Sequence, residues 1–145
     1  MTATSTSTEI YIDGASLGNP GPSGIGVVYV DAQGKPTHQL YKYLGETTNN
    51  VAEYLALLYA LQEAQTRGLK RLSVKTDSEL LAKQINGQYK VRDPLLRLFH
   101  DLALQMAKGF EQVTVEHIDR SRNTQADRLA SDAVESRFDT SVKTA

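Results

Sequence analysis

Four carboxylates, Asp13, Glu53, Asp77 and Asp127, each sit in a short frame where a strand is expected to end or a helix to begin. The frames read Tyr-Ile-Asp-Gly-Ala-Ser-Leu-Gly-Asn-Pro-Gly-Pro, Thr-Thr-Asn-Asn-Val-Ala-Glu-Tyr, Val-Lys-Thr-Asp-Ser-Glu and Arg-Ser-Arg-Asn-Thr-Gln-Ala-Asp-Arg-Leu-Ala. One acid per element, spread along the chain, is how a fold gathers several carboxylates into one cluster. Like charges that close repel strongly, so the cluster needs divalent cations to neutralise it.

Each acid also has a purely structural reading. Asn50-x-x-Glu53 and Thr124-x-x-Asp127 have the spacing of a capping box. Asp77 or Ser78 would cap a helix, and Asp13 before Gly14 would serve as a turn residue. Glu53 argues for more than a cap. Its helix is apolar nearly all round, through Val51, Ala52, Tyr54, Leu55, Leu57, Leu58, Tyr59 and Leu61. A carboxylate in a buried helix is partly desolvated and needs a partner.

The elements that must position these residues follow from local pattern. Strands are expected over Glu9 to Asp13, stopped by the Asp13-Gly14 turn, over Gly24 to Val30 and over Gln39 to Leu44, forming an antiparallel meander. The stretch Gly18-Asn19-Pro20-Gly21-Pro22 reads as irregular. A helix runs from Asn50 to Arg67 and ends at Gly68, followed by a strand over Leu72 to Thr76 and a short helix from Ser78 to Ile85. Asp93-Pro94 starts a helix reaching Lys108; Val113 to Ile118 alternates as a strand, and a last helix covers Thr124 to Glu135. The order β-β-β-α-β-α-α-β-α makes an α/β fold: a five-stranded mixed sheet, three strands antiparallel and then two parallel, flanked by helices. In such sheets the site lies beyond the carboxyl ends of the strands, where Asp13 and Asp77 fall.

Composition sets limits. The 145 residues, 40% of them hydrophobic, suit one domain, expected over residues 9–135, with flexible tails at 1–8 and 136–145. There is no cysteine, which excludes disulfides and thiolate metal sites and fits a reducing compartment. The opening Met-Thr-Ala-Thr-Ser-Thr-Ser-Thr lacks the basic and apolar regions of a signal peptide. The longest apolar run, Val51 to Leu61, falls short of the ~20 residues that cross a bilayer. A monomeric cytoplasmic protein without membrane attachment is expected. Formal net charge is −1, so the chain lacks the basic signature of a general nucleic-acid binder.

Taken in order, the four acidic frames resemble ribonuclease H type 1, and the resemblance runs from about Glu9 to about Glu135. It implies the ribonuclease H-like fold and a metal-dependent endonuclease that cuts the RNA strand of RNA–DNA hybrids, leaving 5′-phosphate and 3′-hydroxyl ends. It implies that Asp13, Glu53, Asp77 and Asp127 are both catalytic and metal-binding, holding two Mg²⁺ ions with Mn²⁺ as substitute. Asp13 would be shared by both ions and Glu53 would lie near a ribose 2′-hydroxyl. Asn19 and Asn49 match positions that contact the hybrid's minor groove, and Thr48 matches one that holds a DNA phosphate. Gly14 and Ala15 would bring backbone amides to the RNA ribose.

Two departures from the family pattern stand out. Many members carry a histidine in the loop before the last aspartate, whereas Asp119-Arg120-Ser121-Arg122-Asn123 has none. This matches a subgroup among archaea and some bacteria. Arg120 or Arg122 is placed to grip a phosphate instead, and His117 reads as a half-buried strand residue. The basic, tryptophan-containing protrusion of several members is also missing: the chain has no tryptophan, and only Lys83, Lys90, Arg92 and Arg97 lie in that region. A modest KM, poor processivity and a slow side activity on double-stranded RNA are the expectations.

Overall fold

The computed structural model describes residues 7–137. Strands β1 (Thr8–Ser16), β2 (Gly21–Val30) and β3 (Pro36–Thr47) form the meander, and α1 (Asn49–Thr66) follows. Then come β4 (Arg71–Thr76), α2 (Glu79–Ile85), α3 (Pro94–Ala107) and β5 (Gln112–His117). A single 3₁₀ turn, Arg120–Arg122, leads into α4 (Thr124–Ser136). The sheet order is β3-β2-β1-β4-β5, with β1, β4 and β5 mutually parallel and β1–β2–β3 antiparallel. This is the five-stranded mixed sheet expected from the residue pattern.

Alternation along β1 divides its side chains between two layers. Ile10 and Ile12 are fully buried in the main core with Leu57, Leu61, Leu72 and Val74. Tyr11 packs on the opposite face in a smaller cluster with Val28, Val30, Ala126 and Leu129. α1 carries nine buried residues and lies against the sheet, as its near-continuous apolar pattern requires. Two of its neighbours fix its position by hydrogen bonds: Tyr29 Oη donates to the Ala60 carbonyl at 2.7 Å, and Tyr54 Oη donates to Gln84 Oε1 at 2.7 Å. α3 starts as expected, with Asp93 accepting from Leu95 N–H and Leu96 N–H ahead of Pro94.

Several expected boundaries move. β1 does not turn at Asp13-Gly14 but runs on to Ser16, because Gly14, Ala15 and Ser16 continue to pair with Ile25, Gly24 and Ser23. Gly21 and Pro22 belong to β2 and face Thr47 and Glu46, so the irregular stretch shrinks to the turn before Gly21. Local composition could not reveal this cross-strand pairing. β3 is correspondingly longer than Gln39 to Leu44. α1 is capped by Thr48, whose hydroxyl accepts from Val51 N–H, so Asn50 and Glu53 form no capping box. Asn123, not Thr124, occupies the cap position of α4. Ser78 caps α2. His117 is exposed at the end of β5, beside Glu79 and Asp119, rather than half-buried.

The expected tails lie outside the described residues except for Ser7, Thr8, Ser136 and Arg137; Thr8 opens β1 and Ser136 closes α4. Among the described residues, no helix is long and apolar enough to cross a membrane.

Glycine sets how closely α4 approaches the sheet. A Cβ added at Gly26 would stand 2.2 Å from the Ala126 carbonyl oxygen and 2.7 Å from Leu129 Cβ. Gly26→Ala therefore has to push α4 away, at a cost on the order of 2 kcal/mol or more from overpacking. Urea denaturation should show this loss; a variant within 0.5 kcal/mol of wild type (roughly the scatter of innocuous surface changes) would refute the close-approach account.

Candidate active site

The site forms where the sheet splits. β1 and β4 pair in parallel as far as Ile12 and Thr76, and the next residue of each strand is an aspartate, Asp13 and Asp77. There β4 leaves for α2 while β1 continues against β2, opening a crevice at the carboxyl ends of the parallel strands.

Two helices reach this crevice through gaps left by glycine. A Cβ at Gly14 would fall 2.4 Å from the Ala52 carbonyl carbon and 2.5 Å from the Glu53 nitrogen. The absence of that Cβ lets the first turn of α1 lie on the strand next to Asp13. Glu53 Oε1 then accepts a hydrogen bond from Gly14 N–H at 2.9 Å. On the other face, Gly26 is the cross-strand partner of Asp13, and α4 settles there and delivers Asp127. Asn123 anchors that helix. It is 1% exposed, and its Nδ2 donates to the Ile12 carbonyl at 2.9 Å.

Asp13, Glu53 and Asp77 each offer an oxygen, and these lie within 4.8 Å of one another. Asp127 stands at the margin of this trio, with Oδ1 4.0 Å from the Arg120 guanidinium. Asp13 is 4% exposed, and its carboxyl is pushed up to about 10, first by burial and then by Glu53, Asp77 and Asp127. Glu53 is pushed up to about 8 by burial and the charge of Asp77, against the opposing pull of the Gly14 hydrogen bond. Without a counter-charge, these groups hold protons at neutral pH. The donor set is all hard carboxylate oxygen, which suits Mg²⁺ or Mn²⁺ and not a soft metal.

The remaining sequence candidates divide. Gly14, Ala15, Asn49 and Arg120 line the same open cleft of about 430 Å³ as the four acids. Asn19 lies outside that lining, and its Oδ1 accepts from Asn49 N–H at 2.9 Å, holding the entrance of α1. Thr48 is engaged as the α1 cap. Sequence reasoning missed Gly26 and the anchoring bond of Asn123. The spacing of Gly24 and Gly26, alternating on one face of β2, was the available signal for a close helix.

The family model described as reverse transcriptase-like matches residues 11–133. Ribonuclease HI of Halobacterium salinarum is 38% identical over 125 residues, 86% of this chain and 63% of that protein. A bifunctional protein of Mycobacterium tuberculosis is 39% identical over 127 residues, 87% of this chain and 35% of its own length. The chain thus spans less than two thirds of these relatives. Among solved structures, the ribonuclease H1 from Halobacterium salinarum has a TM-score of 0.87 at 37% identity, covering 90% of this chain and 98% of that one. A ribonuclease H1 designated LC11, solved in complex with an RNA/DNA hybrid, has a TM-score of 0.86 at 39% identity, covering 90% and 99%.

The raised carboxyls give a pH prediction for the metal-free protein. Both folded-state values exceed the ordinary 3.8 and 4.5, so the native state binds these protons more tightly than the unfolded chain does. Their stabilising contribution is complete below about pH 4 and is lost as pH rises through about 8 for Glu53 and about 10 for Asp13. In chelator, Asp13→Asn should melt higher than wild type at pH 8, with the gain shrinking toward pH 4. A lower melting temperature for Asp13→Asn at pH 8 would contradict the clustering.

Proposed function

The chain belongs to the reverse transcriptase-like family, among its ribonuclease H-like members, and from that premise we propose that it is a metal-dependent endonuclease acting on the RNA strand of RNA–DNA hybrids. The observation that carries this reading is the oxygen trio of Asp13, Glu53 and Asp77 at the split in the sheet. A relative of the same fold has been solved with the proposed substrate class.

In this reading Asp13, Glu53, Asp77 and Asp127 would hold two Mg²⁺ ions, or Mn²⁺ in their place. When bound, such ions would neutralise the cluster and ease the loss of a proton from the attacking water, making it a better nucleophile. Water adds to the phosphorus, the bond to the 3′ oxygen breaks, and that oxygen takes up a proton. The products are a 5′-phosphate and a 3′-hydroxyl. Asp13, the least exposed of the four and charge-coupled to both Glu53 and Asp77, would be the residue shared by both ions. Glu53 faces the ribose and Gly14 and Ala15 admit the RNA backbone closely, since Gly14 has no side chain to obstruct it.

Asn49 contacts the hybrid with its side chain, while Asn19 and Thr48 contribute from the loop and cap they fix. Arg120 is 81% exposed at its side chain and only loosely paired with Asp127, so its guanidinium is available to a phosphate. The protein acts as a monomer in the cytoplasm, with slow cleavage of double-stranded RNA as a side activity.

One assay tests the reading: labelled RNA–DNA, RNA–RNA, DNA–DNA and single-ribonucleotide duplexes, with Mg²⁺ or Mn²⁺. The hybrid should be cut fastest, and Asp13→Asn should retain under about 1% of activity, the scale of losing a transition-state interaction worth roughly 3 kcal/mol. Arg120→Ala should lower kcat about tenfold or more, the range for loss of a charge-assisted contact, whereas His117→Ala should be silent in kinetics and stability. Absence of hybrid cleavage by the wild type, or unimpaired Asp13→Asn, would sink the reading.

A further inference from the structure

Asparagine is among the best helix N-caps, because its side-chain oxygen satisfies a first-turn N–H. Asn123 occupies the cap position of α4 and makes no such bond. Its side chain turns into the sheet instead, and Nδ2 donates to the Ile12 carbonyl at 2.9 Å. Two costs follow. The first turn of α4 lacks a side-chain cap, and Asn123 Oδ1 is buried with no hydrogen-bond partner. A stability-optimised sequence would avoid both, and local rules are broken in this way where function gains from it.

The gain is visible in what Asn123 connects. Ile12 directly precedes Asp13, so the Nδ2 bond fixes the peptide that leads into the most buried carboxylate. The Asn123 carbonyl accepts from Asp127 N–H at 3.1 Å, the first bond of α4, so the same residue sets where Asp127 starts. Its own N–H donates to the Arg120 carbonyl at 3.0 Å, which places the 3₁₀ turn carrying Arg120. One residue thus joins β1, α4 and the Arg120 turn.

We propose that Asn123 is a positioning residue that sets the spacing of Asp13 and Asp127 for a shared divalent cation, through its bond to the Ile12 carbonyl. The proposal rests on the hydrolytic reading above, but metal binding tests it independently of turnover. Asn86 supplies a matched control: its Nδ2 donates to the Val115 carbonyl at 3.0 Å, the same kind of bond, away from the carboxylates.

The experiment compares Asn123→Ser, Asn123→Asp and Asn86→Ala with wild type for Mn²⁺ affinity by calorimetry, kcat and KM on hybrid, and melting temperature. Serine can cap α4 but cannot reach the Ile12 carbonyl as Asn123 does, so it separates helix stability from positioning. Asn123→Ser should lose tenfold or more in Mn²⁺ affinity and in kcat, keep KM within threefold, and melt close to wild type. Asn123→Asp, which removes the donor and sets an acceptor against the carbonyl, should lose at least as much. Asn86→Ala should keep Mn²⁺ affinity and kcat even where it lowers the melting temperature. Wild-type Mn²⁺ affinity in a folded Asn123→Ser would overturn the proposal. So would equal losses in Asn86→Ala, which would make the effect one of general stability. A wild type that binds Mn²⁺ but cuts no hybrid would defeat the hydrolytic reading and leave the affinity comparison standing.

Discussion

Repulsion among carboxylates brought together out of water is the constraint around which the rest of the molecule is arranged. Asp13 is nearly inaccessible, and Glu53 and Asp77 approach it within a few ångströms, so burial and mutual charge both act against ionisation. A protein can hold such a group only where the surrounding packing outweighs the cost. The core supplies that packing: Ile10 and Ile12 flank the route to Asp13 and are wholly buried, and α1 contributes an almost continuous apolar surface behind Glu53.

The carriers of the acids are held rigidly and come from separate parts of the chain. Glu53 arrives one turn into α1, where the helix lies against Gly14; α4 lies against Gly26 on the opposite face. Each helix comes so close that a single methyl group would displace it, and the strand pair of Asp13 and Gly26 lies between them. Ser16, Ser23 and the Thr47 carbonyl are hydrogen-bonded to one another at the ends of the three meander strands, which also fixes the approach to α1. Rigid placement matters because catalytic geometry tolerates little error, and because repelling groups would otherwise move apart.

Much of this was legible in the residues. Apolar runs, alternation and the Gly, Pro and cap signals between them marked out the helices and strands, and the parallel pairing followed from the intervening helices. The acids stood out because each sat in a distinctive frame. What escaped was whatever depends on a partner distant in sequence. Asp13-Gly14 has the local chemistry of a turn, yet β2 pairs with it and keeps it extended. Glu53 has capping-box spacing, yet Thr48 caps the helix and the carboxylate turns to Gly14. His117 alternates with Val113 and Val115, yet it is exposed at the last position of β5. Thr124 reads as the cap of the last helix, yet Asn123 takes that position, and only the fold brings the Ile12 carbonyl within its reach, across a separation of 111 residues.

Burial and mutual repulsion favour the protonated forms of Asp13 and Glu53 until a cation enters the cluster they make with Asp77. Calorimetric titration with Mn²⁺ at pH 7, repeated in buffers of different ionisation enthalpy, counts the protons displaced as the ion enters. With Asp13 at about 10 and Glu53 at about 8, more than one proton should be released per protein. Release should fall in Asp13→Asn, which has one fewer proton to give. Tight binding at pH 7 with no proton released would mean that Asp13 and Glu53 are already ionised in the metal-free protein, contrary to their raised values.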